Sequence, residues 1–137
     1  MPPLRCACLV ARQGARLLLV RVRQNQHWYL PGGKIEPHES AQSALQRELA
    51  EELGIAGVEL RPLFVLPFVQ PPVRCHNFVY ETNWDGPVHH QPEEIVSGGW
   101  LDLAELTAQL RDPDTDFVPD GRAVALEWLR RAADPSS

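Results

Sequence analysis

Three glutamates lie close together in the stretch RELAEELGI, which covers residues 47–55. On an α-helix, positions three and four apart lie on neighbouring turns, so Glu48, Glu51 and Glu52 would project their carboxylates into one cluster of oxygens. Glu52 would also fall within the apolar stripe of that helix, which consists of Ala41, Leu45, Leu49 and Leu53. A buried carboxylate without a partner is costly, so a helix built only for packing would not have Glu52 there. The pattern predicts that another group compensates these charges.

A longer pattern surrounds the glutamates and begins at Gly33. It reads glycine, five residues, glutamate, seven residues, Arg-Glu-Leu, one residue, Glu-Glu, one residue, Gly-Ile, and its fixed positions are Gly33, Glu39, 47–49, 51–52 and 54–55. This pattern resembles the Nudix box, the signature of hydrolases that act on a nucleoside diphosphate linked to another moiety, and every specified position is filled. At average residue usage, a chance match is on the order of one in 10⁹ per starting point.

The resemblance implies a metal site at the three glutamates. In the family, the carboxylates at the positions of Glu48, Glu51 and Glu52 bind metal and take part in catalysis, and the carbonyl at Gly32 is a further ligand. Pyrophosphate hydrolysis at neutral pH needs hard cations that neutralise the phosphates and acidify a water, and Mg²⁺ prefers oxygen ligands. We therefore expect Mg²⁺, for which Mn²⁺ can substitute. The alternative, a solvated acidic helix face, is disfavoured by the position of Glu52 in the apolar stripe.

Four further residues around the box have expected supporting roles. The resemblance implies that Gly33, Glu39 and Arg47 form a scaffold, because a long guanidinium two turns into the helix can reach back to Glu39. An ordinary surface ion pair is the alternative. Lys34 is a candidate contact for a phosphate oxygen or for the attacking water, and an exposed solubilising lysine is the alternative.

The general base is open at this stage. In Nudix enzymes it is either a box glutamate or an acidic residue on a later loop, and in MutT-type members a glutamate directly precedes a tryptophan. This chain has Gly99 before Trp100, so the loop candidates are Glu93 and Glu94.

Substrate contacts are expected on both sides of the box. The stretch PGGKIE and the compact length resemble MutT-type nucleoside triphosphate pyrophosphohydrolases, which place a base-contacting residue where DFVPDG, residues 116–121, stands. Asp120 is therefore a candidate for a hydrogen bond to a purine edge, with helix N-capping as the alternative. Trp28, Tyr29 and Phe117 could stack on a base, although aromatic residues near a turn also pack in cores.

Two other functional interpretations remain open. Pro71 lies 16 residues beyond Ile55, a spacing associated with ADP-ribose-type Nudix enzymes, so a hydrolase of ADP-ribose or another nucleoside diphosphate derivative is the first. A non-catalytic Nudix-fold ligand-binding module is the second. That class commonly loses box glutamates, whereas all of them are present here.

The surrounding elements can be predicted coarsely. We expect strands over 4–11 and 16–23 with Gly14 in the turn, a helix from the N-cap Ser40 to Leu53 with Gly54 at its end, and strands over 57–69 and 73–82 joined at Pro71-Pro72. A strand over 95–103, a short helix over 104–110 and a last helix over roughly 121–132 follow, the last with Ala125, Leu126 and Leu129 on its apolar face. These elements predict an α/β protein, which the resemblance specifies as the Nudix fold, an α/β/α sandwich with a mixed sheet between helices.

Composition limits the remaining classes. The 137 residues suggest one domain over 1–137 with a frayed tail at 134–137, and the net charge of −5 argues against a nucleic-acid polymer as partner. Cys6, Cys8 and Cys75 lack zinc-site spacing and are expected to be buried thiols in strands. No signal peptide and no apolar run near roughly 18 residues is seen, so we expect a cytoplasmic protein without a membrane segment, a monomer or homodimer that binds a small nucleotide.

Overall fold

The structure is a computed structural model that describes residues 2–22, 27–89, 95–112 and 117–133. The strands are β1 (Leu4–Gln13), β2 (Arg16–Val22), β3 (Trp28–Tyr29), β4 (Gly32–Lys34), β5 (Arg61–Gln70), β6 (Val73–Asn83) and β7 (Ile95–Asp102). The helices are α1 (Ala41–Leu53), α2 (Leu103–Arg111) and α3 (Pro119–Ala133). Among the described residues, no helix is both long enough and apolar enough to span a membrane.

The strands form one mixed sheet in the order β3-β2-β1-β6-β5, with β4 paired to β1 and β7 paired to β2. Strand β1 pairs with β6 in parallel, from Leu4 opposite Cys75 to Arg12 opposite Asn83, and the other pairings are antiparallel. Strand β1 therefore lies at the centre of the sheet and contacts the turn that follows β3 as well as the β5–β6 hairpin.

Each face of the sheet has its own apolar core. Ala7, Leu9 and Ala11 of β1 pack against α1, whereas Val10 and the half-buried Cys8 pack against α2 and α3. This alternation follows from the two-residue period of a strand, which directs successive side chains to opposite faces. The predicted α/β/α arrangement is confirmed, with α1 on one side of the sheet and α2 and α3 on the other.

The helix that carries the glutamates has the predicted limits. The side chain of Ser40 accepts a hydrogen bond from the Ser43 amide at 3.1 Å, which satisfies one of the free amides of the first turn. Gly54 ends the helix in the left-handed conformation, with φ of 65°, and its amide donates to the Ala50 and Leu49 carbonyls.

Three expectations need correction. Leu126 does not lie on the apolar face of α3: it is 44% exposed, whereas the predicted Ala125 is buried, together with Val124 and Trp128. Leu126 is two positions from both Val124 and Trp128, which places it about 160° from each around the helix. Strand β5 begins at Arg61, four residues later than expected, and α3 begins at Pro119, two residues earlier.

The cysteine prediction is partly correct. Cys6, Cys8 and Cys75 all lie in strands, but only Cys75 is fully buried, and Cys6 and Cys8 are half-buried.

Candidate active site

The loop before α1 is fixed to the central strand by backbone hydrogen bonds. Gly32, Gly33 and Lys34 lie opposite Cys8, Ala7 and Cys6 of β1, and the amide of Leu9 donates to the Pro31 carbonyl at 2.8 Å. Gly32 has φ of 148°, and a Cβ on it would overlap with the carbonyl oxygen of Ala7. Only glycine fits both the conformation and the close approach of the two backbones.

Gly33 makes room for a box carboxylate. A Cβ built on Gly33 would lie 2.6 Å from the carboxyl carbon of Glu48, so the missing side chain lets this carboxylate rest against the backbone. The Glu48 side chain is only 15% exposed. The loop at Gly33 and the carboxylate of Glu48 are therefore in direct contact.

Arg47 connects the loop with the acidic face of α1. Its guanidinium donates to both carboxylate oxygens of Glu39, at 2.7 and 2.8 Å, to Glu48 at 3.1 Å and to Glu51 at 3.5 Å. It also donates to the Lys34 carbonyl at 3.4 Å. Bidentate contact of this kind fixes both position and orientation of the two groups.

The Arg47 contact changes the ionisation of its partner. Hydrogen bonding from Arg47, helped by the Glu36 amide at 3.0 Å, lowers the pKa of Glu39 to about 2. The pKa of Arg47 is raised, first by its hydrogen bond to Glu39. Both groups are therefore charged at every pH at which the protein is expected to work.

The carboxylates of α1 suit a hard cation. Glu51 is exposed, Glu48 and Glu52 are partly buried, and Glu51 and Glu52 lie one helical turn after Glu48. In the structure Glu48 and Glu51 turn toward Arg47, and within the described residues no three acidic, cysteine or histidine side chains converge on one point. The donor set that the sequence predicts is nevertheless all oxygen, three carboxylates and the carbonyl of Gly32, and such donors fit Mg²⁺ or Mn²⁺ and not a soft metal.

Of the remaining catalytic candidates, the structure describes Lys34 but not Glu93 or Glu94. Lys34 is exposed at the end of β4, next to the box loop. Glu93 and Glu94 lie outside the described residues. The chain leading to them, however, is attached to α1, because the amide of His89 donates to the Leu53 carbonyl at 2.8 Å.

The three aromatic candidates do not form one surface. Trp28 and Tyr29 are consecutive in β3, so Trp28 packs toward α2 and α3 and Tyr29 packs toward α1. Phe117 lies beside Trp28 but is only 5% exposed, which favours its interpretation as a core residue. Trp28 is half-buried, and the Arg21 guanidinium lies 4.5 Å from its ring centroid.

Asp120 contacts Cys75, one of three cysteines for which the sequence predicts only a buried position in a strand. We call Cys6, Cys8 and Cys75 the thiol cluster; the Cys75 sulfur is 3.9 Å from an Asp120 oxygen. Burial, with smaller contributions from Cys75 and Asp120, raises the pKa of Cys6 to about 11, and burial also raises the pKa of Cys8 and Cys75. The cluster is therefore protonated near neutral pH. The spacing of Cys6 and Cys8, two positions apart in a strand, could have indicated their shared face.

The thiol cluster and the box loop are neighbours. Cys6 pairs with Lys34 and Cys8 pairs with Gly32 across the β1–β4 ladder. Asp120 and the thiols lie on the α3 side of the sheet, and the glutamates lie on the α1 side, with the box loop between them.

Comparison with known proteins gives consistent matches. A family model described as the NUDIX domain matches residues 1–121. The chain is 40% identical over 111 residues to the Nudix hydrolase orf19 of Rhodococcus erythropolis, which covers 74% of this chain and 60% of that protein. The chain thus spans less than two thirds of the length of this relative.

Two solved structures have the same architecture. The MutT NUDIX hydrolase from Burkholderia pseudomallei is 25% identical with a TM-score of 0.75, covering 93% of this chain and 98% of that one. The NUDIX domain of Shewanella oneidensis NrtR, solved in complex with ADP ribose, is 17% identical with a TM-score of 0.76, covering 97% and 90%. The second similarity concerns the fold alone.

Proposed function

Because the chain belongs to the Nudix hydrolase family, we propose that it is a Mg²⁺-dependent pyrophosphohydrolase that cleaves a phosphoanhydride bond of a nucleoside diphosphate linked to another moiety. The observation that carries the proposal is the complete box. Its three carboxylates lie on α1, and Arg47 and Gly33 hold Glu48 against the preceding loop.

The residues of the proposed site have three separate roles: metal binding, support of the loop and phosphate binding. Glu48, Glu51 and Glu52, with the Gly32 carbonyl, would hold Mg²⁺, which supplies positive charge to the phosphate oxygens and acidifies a water. Arg47 and Glu39 would hold the loop against the helix, a role that their bidentate contact supports. Lys34, which is exposed beside that loop, is the proposed contact for a phosphate oxygen.

The general base that accepts a proton from the attacking water has two candidate locations, on α1 and on the later loop. Glu52 and Glu51 are on α1 itself, whereas Glu94, or Glu93 beside it, would approach from the segment after His89. The backbone contact of His89 with Leu53 supports the second choice, because it brings the chain to the carboxyl end of α1. We retain Glu94 as the loop candidate.

We propose a MutT-like specificity, in which a nucleoside triphosphate or deoxynucleoside triphosphate gives a monophosphate and pyrophosphate. The similarity to the Burkholderia MutT NUDIX hydrolase supports this choice. Asp120 supplies an acceptor and the thiol cluster supplies weak S–H donors on the wall that adjoins Gly32 and Lys34, which suits a base edge with both donors and acceptors. Trp28 and Tyr29, both half-buried, are the remaining stacking candidates. The expected setting is cytoplasmic, with no nucleic-acid polymer as substrate.

The alternative substrate is ADP-ribose or another nucleoside diphosphate derivative. The NrtR NUDIX domain, which was solved with ADP ribose, has the same fold and motivates this alternative. A ligand-binding module without catalysis is the alternative from another class, and the intact carboxylate set argues against it.

The test is a substrate panel with product identification in the presence of Mg²⁺. Purified protein is incubated with dNTPs, oxidised dNTPs, ADP-ribose, dinucleoside polyphosphates and nucleotide sugars. Pyrophosphate released from a triphosphate would support the MutT-like proposal, and two monophosphates from a nucleoside diphosphate derivative would support the alternative. No cleavage of any compound would contradict hydrolase activity.

A matched pair of variants tests the metal site. Glu52→Gln should lower kcat/KM by on the order of 10³-fold with the fold retained, because it removes a carboxylate that stabilises charge in the transition state. Glu105→Gln changes an exposed glutamate of α2 in the same way and should leave kcat/KM unchanged. Equal turnover by wild type and Glu52→Gln would show that Glu52 is not a metal ligand.

A further inference from the structure

A pocket of about 360 Å³ lies on the α3 side of the sheet, away from the box. It is formed by the C-terminal half of α3 and by β1, β5 and β6, and its wall includes Arg12, Leu63, Phe64, Glu81, Trp128 and Arg131. Arg131 is eleven residues beyond Asp120 on α3, a distance of about 16 Å along the helix. The pocket is therefore separate from the thiol cluster and from the carboxylates of α1.

Two arginines of this pocket are held on aromatic rings. The Arg131 guanidinium lies 4.5 Å from the centroid of the Phe64 ring, and the Arg12 guanidinium lies 5.5 Å from that of Trp128. Stacking occupies the flat face of a guanidinium and leaves its N–H groups at the edge. At that edge Arg12 donates to the Gly14 carbonyl at 3.4 Å, and the Nε of Arg131 donates to Glu127 at 2.9 Å. Both cations are thus positioned before any ligand arrives.

The carboxylate in the pocket is already satisfied. One oxygen of Glu81 accepts from Arg61 at 3.1 Å, and the other accepts from the indole nitrogen of Trp128 at 3.0 Å. Glu127 accepts from both Arg130 and Arg131, and Arg12 forms no ion pair with any carboxylate among the residues that the structure describes. The pocket lining itself therefore has two cations, Arg12 and Arg131, and one anion, Glu81, which is paired with Arg61 outside the lining.

The pocket also offers apolar surface. The register of β5 and β6 shifts between Pro62 and Phe64, so Leu63 is an extra residue on the β5 side. A bulge of this kind lets two consecutive side chains face the same way, and both Leu63 and Phe64 line the pocket. Leu63 remains 37% exposed, which leaves apolar area available to a ligand.

From this combination we propose that the pocket binds a small aromatic anion of the phosphomonoester class. Its anionic group would lie at the edges of Arg12 and Arg131, and its ring would lie against Leu63. A pocket of this volume is within the ordinary range for small-molecule sites. The excess of positive charge concentrates anions locally although the whole chain is acidic. This site does not depend on the proposed hydrolase activity.

The experiment uses phenyl phosphate as the probe and the indole N–H of Trp128 as the reporter. The full chain is titrated in EDTA without Mg²⁺ and followed by ¹H–¹⁵N NMR, with the Trp128 signal identified by its loss in Trp128→Phe. A saturable shift with an apparent Kd of about a few millimolar is expected for a ligand of this size. Phenol and inorganic phosphate, each carrying half of the probe, should bind at least about tenfold more weakly.

Two pairs of variants locate the site. Arg131→Gln should weaken phenyl phosphate binding about tenfold or more, because it removes a charge-assisted donor, while Arg130→Gln, which loses a contact with the same Glu127, should not. Arg12→Gln should act like Arg131→Gln, and Arg16→Gln, an exposed arginine on the adjoining hairpin, should not.

Three outcomes would overturn the proposal. The first is a Trp128 signal that does not saturate. The second is equal weakening by the pocket variants and their controls, which would reduce the effect to diffuse charge. The third is inorganic phosphate binding as tightly as phenyl phosphate, which would remove the aromatic part of the ligand class.

Discussion

Gly32 and Gly33 are adjacent, but a methyl group on each would meet a different obstacle. On Gly33 it would meet the carboxylate of Glu48, the end of a flexible side chain that can rotate away. On Gly32 it would meet the backbone of β1 in a conformation that residues other than glycine rarely adopt. A substitution at Gly33 should therefore disturb the position of Glu48, whereas a substitution at Gly32 should destabilise the fold.

Gly33→Ala should keep the protein folded and lower kcat/KM about tenfold or more, because Glu48 leaves its position beside the loop. Gly32→Ala should lower the free energy of unfolding by about 2–4 kcal/mol. Thermal denaturation and steady-state kinetics on both variants separate the two effects. An active Gly33→Ala protein would show that the Glu48 position against the loop is not needed for turnover.

The contact between Arg47 and Glu39 should appear in the pH dependence of stability. The pKa of Glu39 is lowered to about 2 in the folded protein from an ordinary value of 4.5. The contribution of ionised Glu39 to the free energy of unfolding is therefore complete above about pH 5 and is lost as the pH falls from there toward the lowered pKa. Glu39→Gln should therefore flatten the loss of stability between about pH 5 and pH 3 relative to wild type.

The control for this experiment is Glu105→Gln, since Glu105 is an exposed glutamate on α2. The pKa of Glu127 is also lowered to about 2, by Arg130 and Arg131. Its contribution to the pH dependence of stability is the same in wild type and in both variants, so it cancels in the comparison. Urea denaturation at several pH values gives the comparison. Identical slopes in wild type and Glu39→Gln would mean that the Arg47 contact does not persist in solution.

At the scale of elements, local signals identified α1 but not the order of the sheet. Ser40 and Gly54 act on their own turns of the helix, so the sequence contains the information that sets its limits. The parallel pairing of β1 with β6 joins residues about 70 positions apart, such as Leu4 and Cys75, and no local pattern encodes it. Strands β3 and β4 have two and three residues, too few to show a period.

The end of α1 is held by the segment Trp84–His89. The His89 amide donates to Leu53, the Trp84 indole donates to the Pro87 carbonyl at 3.3 Å, and Val88 packs on the core beneath α1. A Cβ on Gly54 would approach the His89 side chain to 3.3 Å. This position thus combines a left-handed backbone with a tertiary contact.

Gly54→Ala and Gly57→Ala form a matched pair, because both glycines have positive φ, 65° and 68°, and nothing lies within 4 Å of a Cβ on Gly57. Each change should cost about 1 kcal/mol from backbone strain alone. Gly54→Ala should cost measurably more and should increase amide hydrogen exchange at His89. Equal unfolding free energies for the two variants would indicate that His89 is not held at the end of α1.

For the whole molecule, the distribution of charge matters more than its sum. The chain carries a net charge of −5, and the substrate proposed for it is also an anion. The box carboxylates on the α1 side need positive charge beside them. The Arg47 guanidinium supplies part of it, because it donates to both Glu48 and Glu51. The box itself could be identified from sequence because its residues lie within 33–55. The thiol cluster and the pocket lined by Arg12 and Arg131 are instead assembled from segments that are distant in the sequence.

Metal binding should therefore stabilise the whole fold. A ligand that binds only the folded state at 100 times its Kd adds about 2.7 kcal/mol, which corresponds to a rise in Tm of roughly 8 °C for a domain of this size. We expect Mg²⁺ added to EDTA-treated protein to give a rise of this order in wild type and in Glu105→Gln, and little or none in Glu52→Gln. Differential scanning fluorimetry across a Mg²⁺ titration measures this directly. A full rise in Glu52→Gln would place the stabilising metal away from the box.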